Sequence, residues 1–199
     1  MIQQMTSIKP SNLGQQPQRL TEHPFPPYSY VPRMHPHPFS HPKGHSFEIA
    51  HNPITPSDQL AIDSRHDWAM DLFNHGFYWE SHEAWESLWH AFERCGRQAN
   101  FVKGLIKLAA AGVKAREGRV TGVQRHALRA QTLLQASADG DRYDQDVCMR
   151  LSSTWLRLQC RWVSDHPESV IDTSHCDAAR VFPFTLVPSH PPTHHHLRS

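Results

Sequence analysis

Residues 77 to 93 carry the densest group of side chains in the chain that could do chemistry, in the order FYWESHEAWESLWHAFE. His82 and Glu86 are four residues apart, so on an α-helix both side chains project from the same face. One imidazole and one carboxylate within reach of a single ion suit zinc, iron, manganese or nickel better than calcium. The spacing therefore predicts a divalent-metal site on this helix, with the identity of the metal left open.

Two ligands from one helix do not complete a metal site, so additional donors are expected from nearby positions. The candidates for additional ligands are Glu83, His90 and Asp71. Asp71 lies near the end of the preceding helix and could fold back toward the motif together with Asn74. The same spacing also has an interpretation without metal, since His and Glu one turn apart form ordinary hydrogen-bonded pairs, here tied to a neighbouring Lys or Arg.

When each residue is advanced by about 100° around the axis, the apolar residues of the helix that carries this motif fall on one side. Trp85 and Trp89 belong to its apolar arc, His82 falls at the edge of that arc, and Trp79 lies beyond it. The three tryptophans are therefore expected to be packing residues of the motif, whereas Glu80 is expected to face solvent. A carboxylate beside such an edge loses water and needs a proton, a cationic side chain or a metal ion as its partner.

A stripe of lysines on the following helix offers one such cationic partner. Lys103, Lys107 and Lys114 fall within a narrow strip of that helix surface. If the strip faces Glu83 and Glu86, the result is an ion-pair network between helices or an anion site. The alternative is a lysine face in contact with water, because lysine is almost never buried without a partner.

Proline divides the chain into parts with different structural prospects, because proline disfavours helix interiors. Eleven of the 16 prolines lie in residues 1–56, and none lies between Ser57 and His166. Apolar residues at helical spacing in the proline-free part predict an all-α fold, a bundle of about five antiparallel helices arranged as stacked αα-hairpins. The first three expected helices run from Ser57 to about Asn74, from about Phe77 to Glu93 and from about Gln98 to Glu117. A capping box of Thr121 and Gln124 is expected to open the fourth helix. The fifth is expected to start near Tyr143, to carry Val147 and Leu151 on its apolar face, and to end before Pro167.

The sequence predicts four segments with different organisation. The glutamine-rich N-terminus is expected to be disordered, and the part that follows mixes proline with histidine and aromatic residues, which suits an extended arm docked on a surface. After the helices, the C-terminal tail shows no clear period. The boundaries are 1–21 for the disordered N-terminus, 22–56 for the arm, 57–166 for the helical domain and 167–199 for the irregular tail.

Composition excludes several classes of function. The formal net charge is +1 and the 20 Lys and Arg residues are scattered, so there is no signal for nucleic-acid binding. We find no signal peptide and no stretch of about 20 apolar residues that could cross a membrane, so a soluble cytoplasmic protein is expected. Four widely spaced cysteines favour free thiols in a reducing compartment. A homo-oligomer is compatible with the sequence, which identifies no partner.

Two stretches, residues 71–89 and 103–111, resemble the signature of a bacterial and archaeal family catalogued as domain of unknown function 309. The likeness covers about residues 60–135. It implies an all-α fold and a functional motif, His-x-x-x-Glu-x-x-Trp, that is suspected of binding metal. In this chain the motif residues are His82, Glu86 and Trp89, and no enzymatic activity comes with the family name.

Three hypotheses for function follow. The first is a metal-binding helical domain that acts either as a weak sensor or as a hydrolase using a metal-bound water. The second is a non-catalytic helical interaction or scaffold module in which the Trp/His/Glu helix is structural. The third is a magnesium-dependent bundle resembling nucleotide pyrophosphohydrolases, with Glu80, Glu83 and Glu86 as ligands, although Asp141 and Asp144 make a poor second acidic motif.

Overall fold

In the described part of the chain, five α-helices pack against one another in chain order, which confirms the predicted all-α bundle. The computed structural model describes residues 16–49, 53–138 and 147–189. Short connections join the first four helices, and each helix packs against the next along the chain. The helices are α1 (Gln59–Asn74), α2 (Tyr78–Ala91), α3 (Gly96–Arg116), α4 (Val120–Ala138) and α5 (Ser153–Asp165).

Local signals account for the ends of the first helices. The Asp58 side chain accepts a hydrogen bond from the Ala61 N–H at the start of α1, as an N-cap should. Gly76 follows α1 with φ of 88°, and Gly118 follows α3 with φ of 72°. Both glycines adopt left-handed backbone that side chains disfavour, so they stop the helices where the sequence predicts.

Glycine also allows α3 to approach its neighbours closely. A Cβ atom on Gly112 would lie 2.5 Å from the Tyr78 ring of α2, and one on Gly104 would lie 2.8 Å from Leu134 of α4. The aromatic ring and the leucine side chain occupy the space that these glycines leave open. This contact between α2 and α3 sets the position of the motif helix on the core.

The fifth predicted helix begins later than expected. Residues Val147–Cys148 (β1) and Leu151–Ser152 (β2) form a short antiparallel hairpin. Met149 and Arg150 turn the chain with positive φ values, as the tight turns of two-residue hairpins require. Val147 and Leu151 therefore do not share a helix face, and the predicted start at Tyr143 lies outside the described residues.

The predicted capping box of α4 is also wrong. The Val123 N–H donates to the Arg119 carbonyl, so the first helical turn has already started when the chain reaches Thr121. Thr121 is therefore inside the helix and cannot be its N-cap, since α4 begins at Val120.

Segments on either side of the bundle cover its core. In the arm, the Phe25 ring stacks on Phe77 with centroids 5.0 Å apart, and Tyr30 meets Trp79 edge-on at 5.0 Å. After α5, a short 3-10 helix (Pro167–Val170) leads into an irregular tail whose Phe182 is buried. In the part of the chain that the structure describes, no helix is long and apolar enough to cross a membrane.

Candidate metal centre

The motif helix α2 brings three ligand-bearing side chains together. One ligand atom from each of His82, Glu83 and Glu86 lies within 4.8 Å of the other two. The His82 Nδ1 and Glu83 Oε1 atoms are 3.3 Å apart, and the two side chains are 22% and 30% exposed. No other group of three such ligands occurs among the described residues. The arrangement offers one nitrogen and two carboxylates at a half-buried surface that an ion can reach.

Each tryptophan of the motif helix has a distinct packing role. Trp79 stacks on the His82 ring at 5.7 Å, with the planes 16° apart, and this contact orients the imidazole. Trp85 is fully buried, and its Nε1–H donates to His66 Nδ1 of α1 at 3.1 Å. The face of Trp89 receives the Lys103 ammonium 4.4 Å from the ring centroid, a cation–π contact.

Of the predicted ion-pair lysines, Lys103 is therefore engaged with an aromatic ring rather than a carboxylate. Lys107 lies near His126 of α4, and its charge acts on that imidazole. Within the described ranges, no ion pair joins either lysine to Glu83 or Glu86. These two lysines therefore do not neutralise the carboxylates of the ligand group.

His126 is a titratable neighbour of the site that the sequence reasoning missed. Burial, followed by the positive charges of Lys107 and Arg125, lowers the pKa of His126 to about 4, and Lys114 and His82 add smaller effects in the same direction. His126 follows buried Val123 by three residues, so the helical period places it at the edge of the buried stripe of α4. Its place at the edge of this stripe can be read from the helical period, so the sequence contains a signal for His126.

Two of the additional ligands expected from the sequence lie outside the three-residue group. His90 is exposed, and its Nδ1 accepts a hydrogen bond from the Arg94 guanidinium at 3.2 Å. Asp71 is fully buried, and its two oxygens accept the Leu20 N–H, the Thr21 N–H and the Thr21 hydroxyl, each at 2.8 Å.

Asn74, expected to fold back together with Asp71, is used elsewhere as well. Its side chain donates to the Leu186 carbonyl at 2.8 Å and accepts the Leu186 N–H at 2.7 Å. The end of α1 thus binds the residues that lead into the arm through Asp71 and the tail through Asn74. Neither residue is directed to the motif, which corrects the expectation that α1 contributes ligands.

The prediction that Glu80 faces solvent is wrong. Glu80 is only 8% exposed, and its Oε1 accepts the Tyr30 N–H at 2.8 Å and contacts His45 Nε2 at 3.0 Å. The arm covers the face that the isolated helix would present to water. Glu80 consequently does not join Glu83 and Glu86 in the ligand group.

A cleft of about 350 Å³ separates the arm from α1 and α2 beside the ligand group. Glu83 and Glu86 line this cleft, while His82 is not among its lining residues. The two carboxylates therefore connect the ligand group to a half-open space large enough for a small molecule.

One family model matches part of the chain. Residues 67–126 match the model described as "Domain of unknown function (DUF309)". The match runs from the middle of α1 through α2 and α3 into α4, and it includes the three clustered ligands and His126 but neither the arm nor the tail. No curated protein and no solved structure matches the chain.

Proposed function

We propose, from the premise that residues 67–126 match the DUF309 family model, that the chain binds one divalent transition-metal ion at His82, Glu83 and Glu86. The single observation that carries the proposal is the convergence of their ligand atoms within 4.8 Å. A donor set of one imidazole and two carboxylates suits zinc, iron, manganese or nickel.

The surroundings of the three residues support the same proposal. Trp79 holds the His82 ring by stacking, which reduces the conformational freedom that this ligand would lose on binding an ion. Glu83 and Glu86 are half-buried beside apolar surface, where an unneutralised pair of carboxylates is unfavourable. A bound ion would neutralise them and would supply Lewis-acid chemistry at the edge of the cleft.

The pyrophosphohydrolase hypothesis receives less support from the geometry. It requires Glu80, Glu83 and Glu86 to share one magnesium ion, but Glu80 Oε1 is bound to the arm through Tyr30 and His45. The acidic positions proposed as a second motif, Asp141 and Asp144, lie outside the described residues. The transition-metal site is therefore the function that the arrangement supports best.

The test is the metal content of the untagged protein, measured by elemental analysis, beside the variants His82→Asn and Glu86→Gln. We expect about one equivalent of metal in the native protein and a loss of at least tenfold in affinity in each variant, because each removes one ligand and leaves the fold in place. Metal affinity is then compared by titration against a competing chromophoric chelator.

Matched controls remove the same chemical groups at exposed positions in the tail, with His175→Asn for the imidazole and Glu168→Gln for the carboxylate. Both controls should retain the metal. Equal metal content in His82→Asn and His175→Asn would show that binding is adventitious. No metal in any form, with the motif variants only less stable than the native protein, would instead support the interaction module.

A further inference from the structure

The arm, α1 and α2 together form the walls of the cleft beside the ligand group. The arm supplies Phe39 and two prolines, α1 supplies Trp68 and Leu72, and α2 supplies Trp79. Aromatic faces and aliphatic groups therefore make up most of its surface. Walls of this kind bind the apolar body of a small molecule, and indole rings in addition attract cations.

The charged groups of the cleft are mostly acidic. Glu80, Glu83 and Glu86 project from successive turns of α2 along one side, and Arg65 of α1 is the one arginine or lysine among the lining residues. His45 and His90 also line the cleft and add positive charge only when protonated. With both histidines neutral, three carboxylates face one guanidinium, so the cleft favours a cation over an anion.

Glu80 has an oxygen that the protein itself does not satisfy. Its side chain is 7% exposed, and Oε1 is engaged by Tyr30 and His45. Oε2 is buried and has no hydrogen-bond partner, and it is the only carboxylate oxygen in this state among the described residues. A buried carboxylate oxygen without a donor costs free energy. Because Glu80 lines the cleft, a donor on a bound molecule that reaches this oxygen would stabilise the site.

We propose that this cleft binds a small organic cation, a primary amine carrying an apolar body about the size of one aromatic ring. The ammonium group lies against Glu80 and Glu83, and the body packs between Trp68, Trp79 and Phe39. The contact is charge-assisted at one end and apolar at the other. The proposal goes beyond the metal site and does not require a metal to be bound.

A series of three ligands of similar size and different charge tests this. Benzylamine, benzyl alcohol and benzoate are titrated into the full-length protein at pH 7 in the presence of a strong chelator, with binding followed by ligand-observed NMR. We expect benzylamine to bind at least about tenfold more tightly than benzyl alcohol, and benzoate not to bind, because of the excess of carboxylates. Equal binding of all three, or no binding of benzylamine, would overturn the proposal.

Variants assign the binding to the cleft. Glu80→Gln and Glu83→Gln each keep the shape of the side chain and remove its charge, and each should weaken benzylamine binding about tenfold. Glu168→Gln removes an exposed carboxylate in the tail and should leave the affinity unchanged. If Glu80→Gln disturbs the arm, Glu83→Gln still decides the question, since Glu83 makes no contact with the arm in the described hydrogen bonds. Unchanged affinity in Glu83→Gln would place the amine elsewhere.

Failure of this proposal and failure of the metal proposal are distinguishable. Protein that binds benzylamine in chelator but contains no metal as purified would contradict the metal site alone. Protein that holds stoichiometric metal but does not discriminate benzylamine from benzyl alcohol would contradict the amine site alone.

Discussion

At the scale of single residues, the buried pair of His66 and Trp85 joins α1 to the motif helix. His66 is 1% exposed and accepts the Trp85 Nε1–H. Burial, followed by the charge of Arg150, lowers the pKa of His66 to about 3. The imidazole is therefore neutral in the folded protein over the whole physiological range, and its Nδ1 remains an acceptor.

This lowered pKa makes stability depend on pH. Below pH 6.5, the ordinary pKa of histidine, the unfolded chain binds a proton at His66. The folded protein does not bind this proton until about pH 3. Stability is thus fully present above pH 6.5 and is lost as the pH falls, by up to about 1.4 kcal/mol per pH unit. His66→Gln keeps an acceptor for Trp85 and should show a shallower decline in the free energy of unfolding between pH 6.5 and 4.5.

Urea denaturation across this pH range measures the effect, with the exposed His175→Gln as the control. The control should follow the native protein. A decline of the same steepness in His66→Gln and in the native protein would show that His66 does not titrate on unfolding.

At the scale of elements, two carboxylates hold the arm on the bundle. Asp71 of α1 binds Leu20 and Thr21, the two residues that lead into the arm, and Glu80 of α2 binds the middle of the arm through Tyr30 and His45. His45 of the arm and Glu80 both line the cleft, so the arm is part of the candidate site. The backbone hydrogen bonds that lie within the arm fall between Val31 and Ile49, so the stretch before Val31 depends on these anchors.

Asp71→Asn should loosen the beginning of the arm. The amide places an NH₂ group where Oδ2 now accepts the Thr21 N–H and hydroxyl, which leaves buried donors without an acceptor. We expect a loss of about 1–3 kcal/mol in the free energy of unfolding. We also expect faster trypsin cleavage after the exposed Arg19.

Urea denaturation and mass spectrometry of the digest measure both effects. Asp63→Asn, an exposed carboxylate on the same helix, should change neither. Identical cleavage rates in Asp71→Asn and Asp63→Asn would mean that Asp71 does not hold the arm.

At the scale of the whole molecule, Arg116 joins the tail to the end of α3. It is 2% exposed, and its guanidinium donates to the carbonyls of Asp172 and Ser174 at 3.0 and 2.7 Å and pairs with the Asp172 carboxylate at 3.1 Å. The pKa of Asp172 is lowered, first by a hydrogen bond from the Ser174 side chain and then by one from the Ser174 backbone N–H and by the charge of Arg116. Burial acts in the opposite direction. The planar guanidinium suits this set of separated acceptors, which one ammonium group cannot reach together.

Replacing Arg116 should release the tail. Arg116→Met leaves the acceptors of Asp172 and Ser174 unpaired and should cost about 3 kcal/mol or more, and Arg116→Lys should cost less because it retains the charge. Urea denaturation measures both, with Arg119→Met as the control, since Arg119 is largely exposed. A cost for Arg116→Met no larger than that of the control would show that the tail is held by its apolar residues alone.

The sequence by itself determined the helices and the motif. Apolar spacing located α1, α2 and α3 to within two residues, since the helical period and the glycine stops are local properties of the chain. It also located His82 and Glu86 on one face of α2, because a separation of four residues is one helical turn. Short-range rules failed at the hairpin around Met149 and Arg150, where two adjacent residues with positive φ turn an apolar stretch that could equally have been helical.

Only the tertiary structure decided what surrounds the motif. Contacts between positions about 50 residues apart bury Glu80 and occupy Asp71, and the docking of the arm creates the cleft that Glu83 and Glu86 line. No local pattern contains this information, because the arm lacks a period. In addition, the helix carboxylates accept hydrogen bonds from backbone N–H groups, which every residue but proline possesses. The charge neighbours of the site, His126 among them, likewise depend on which helix faces meet.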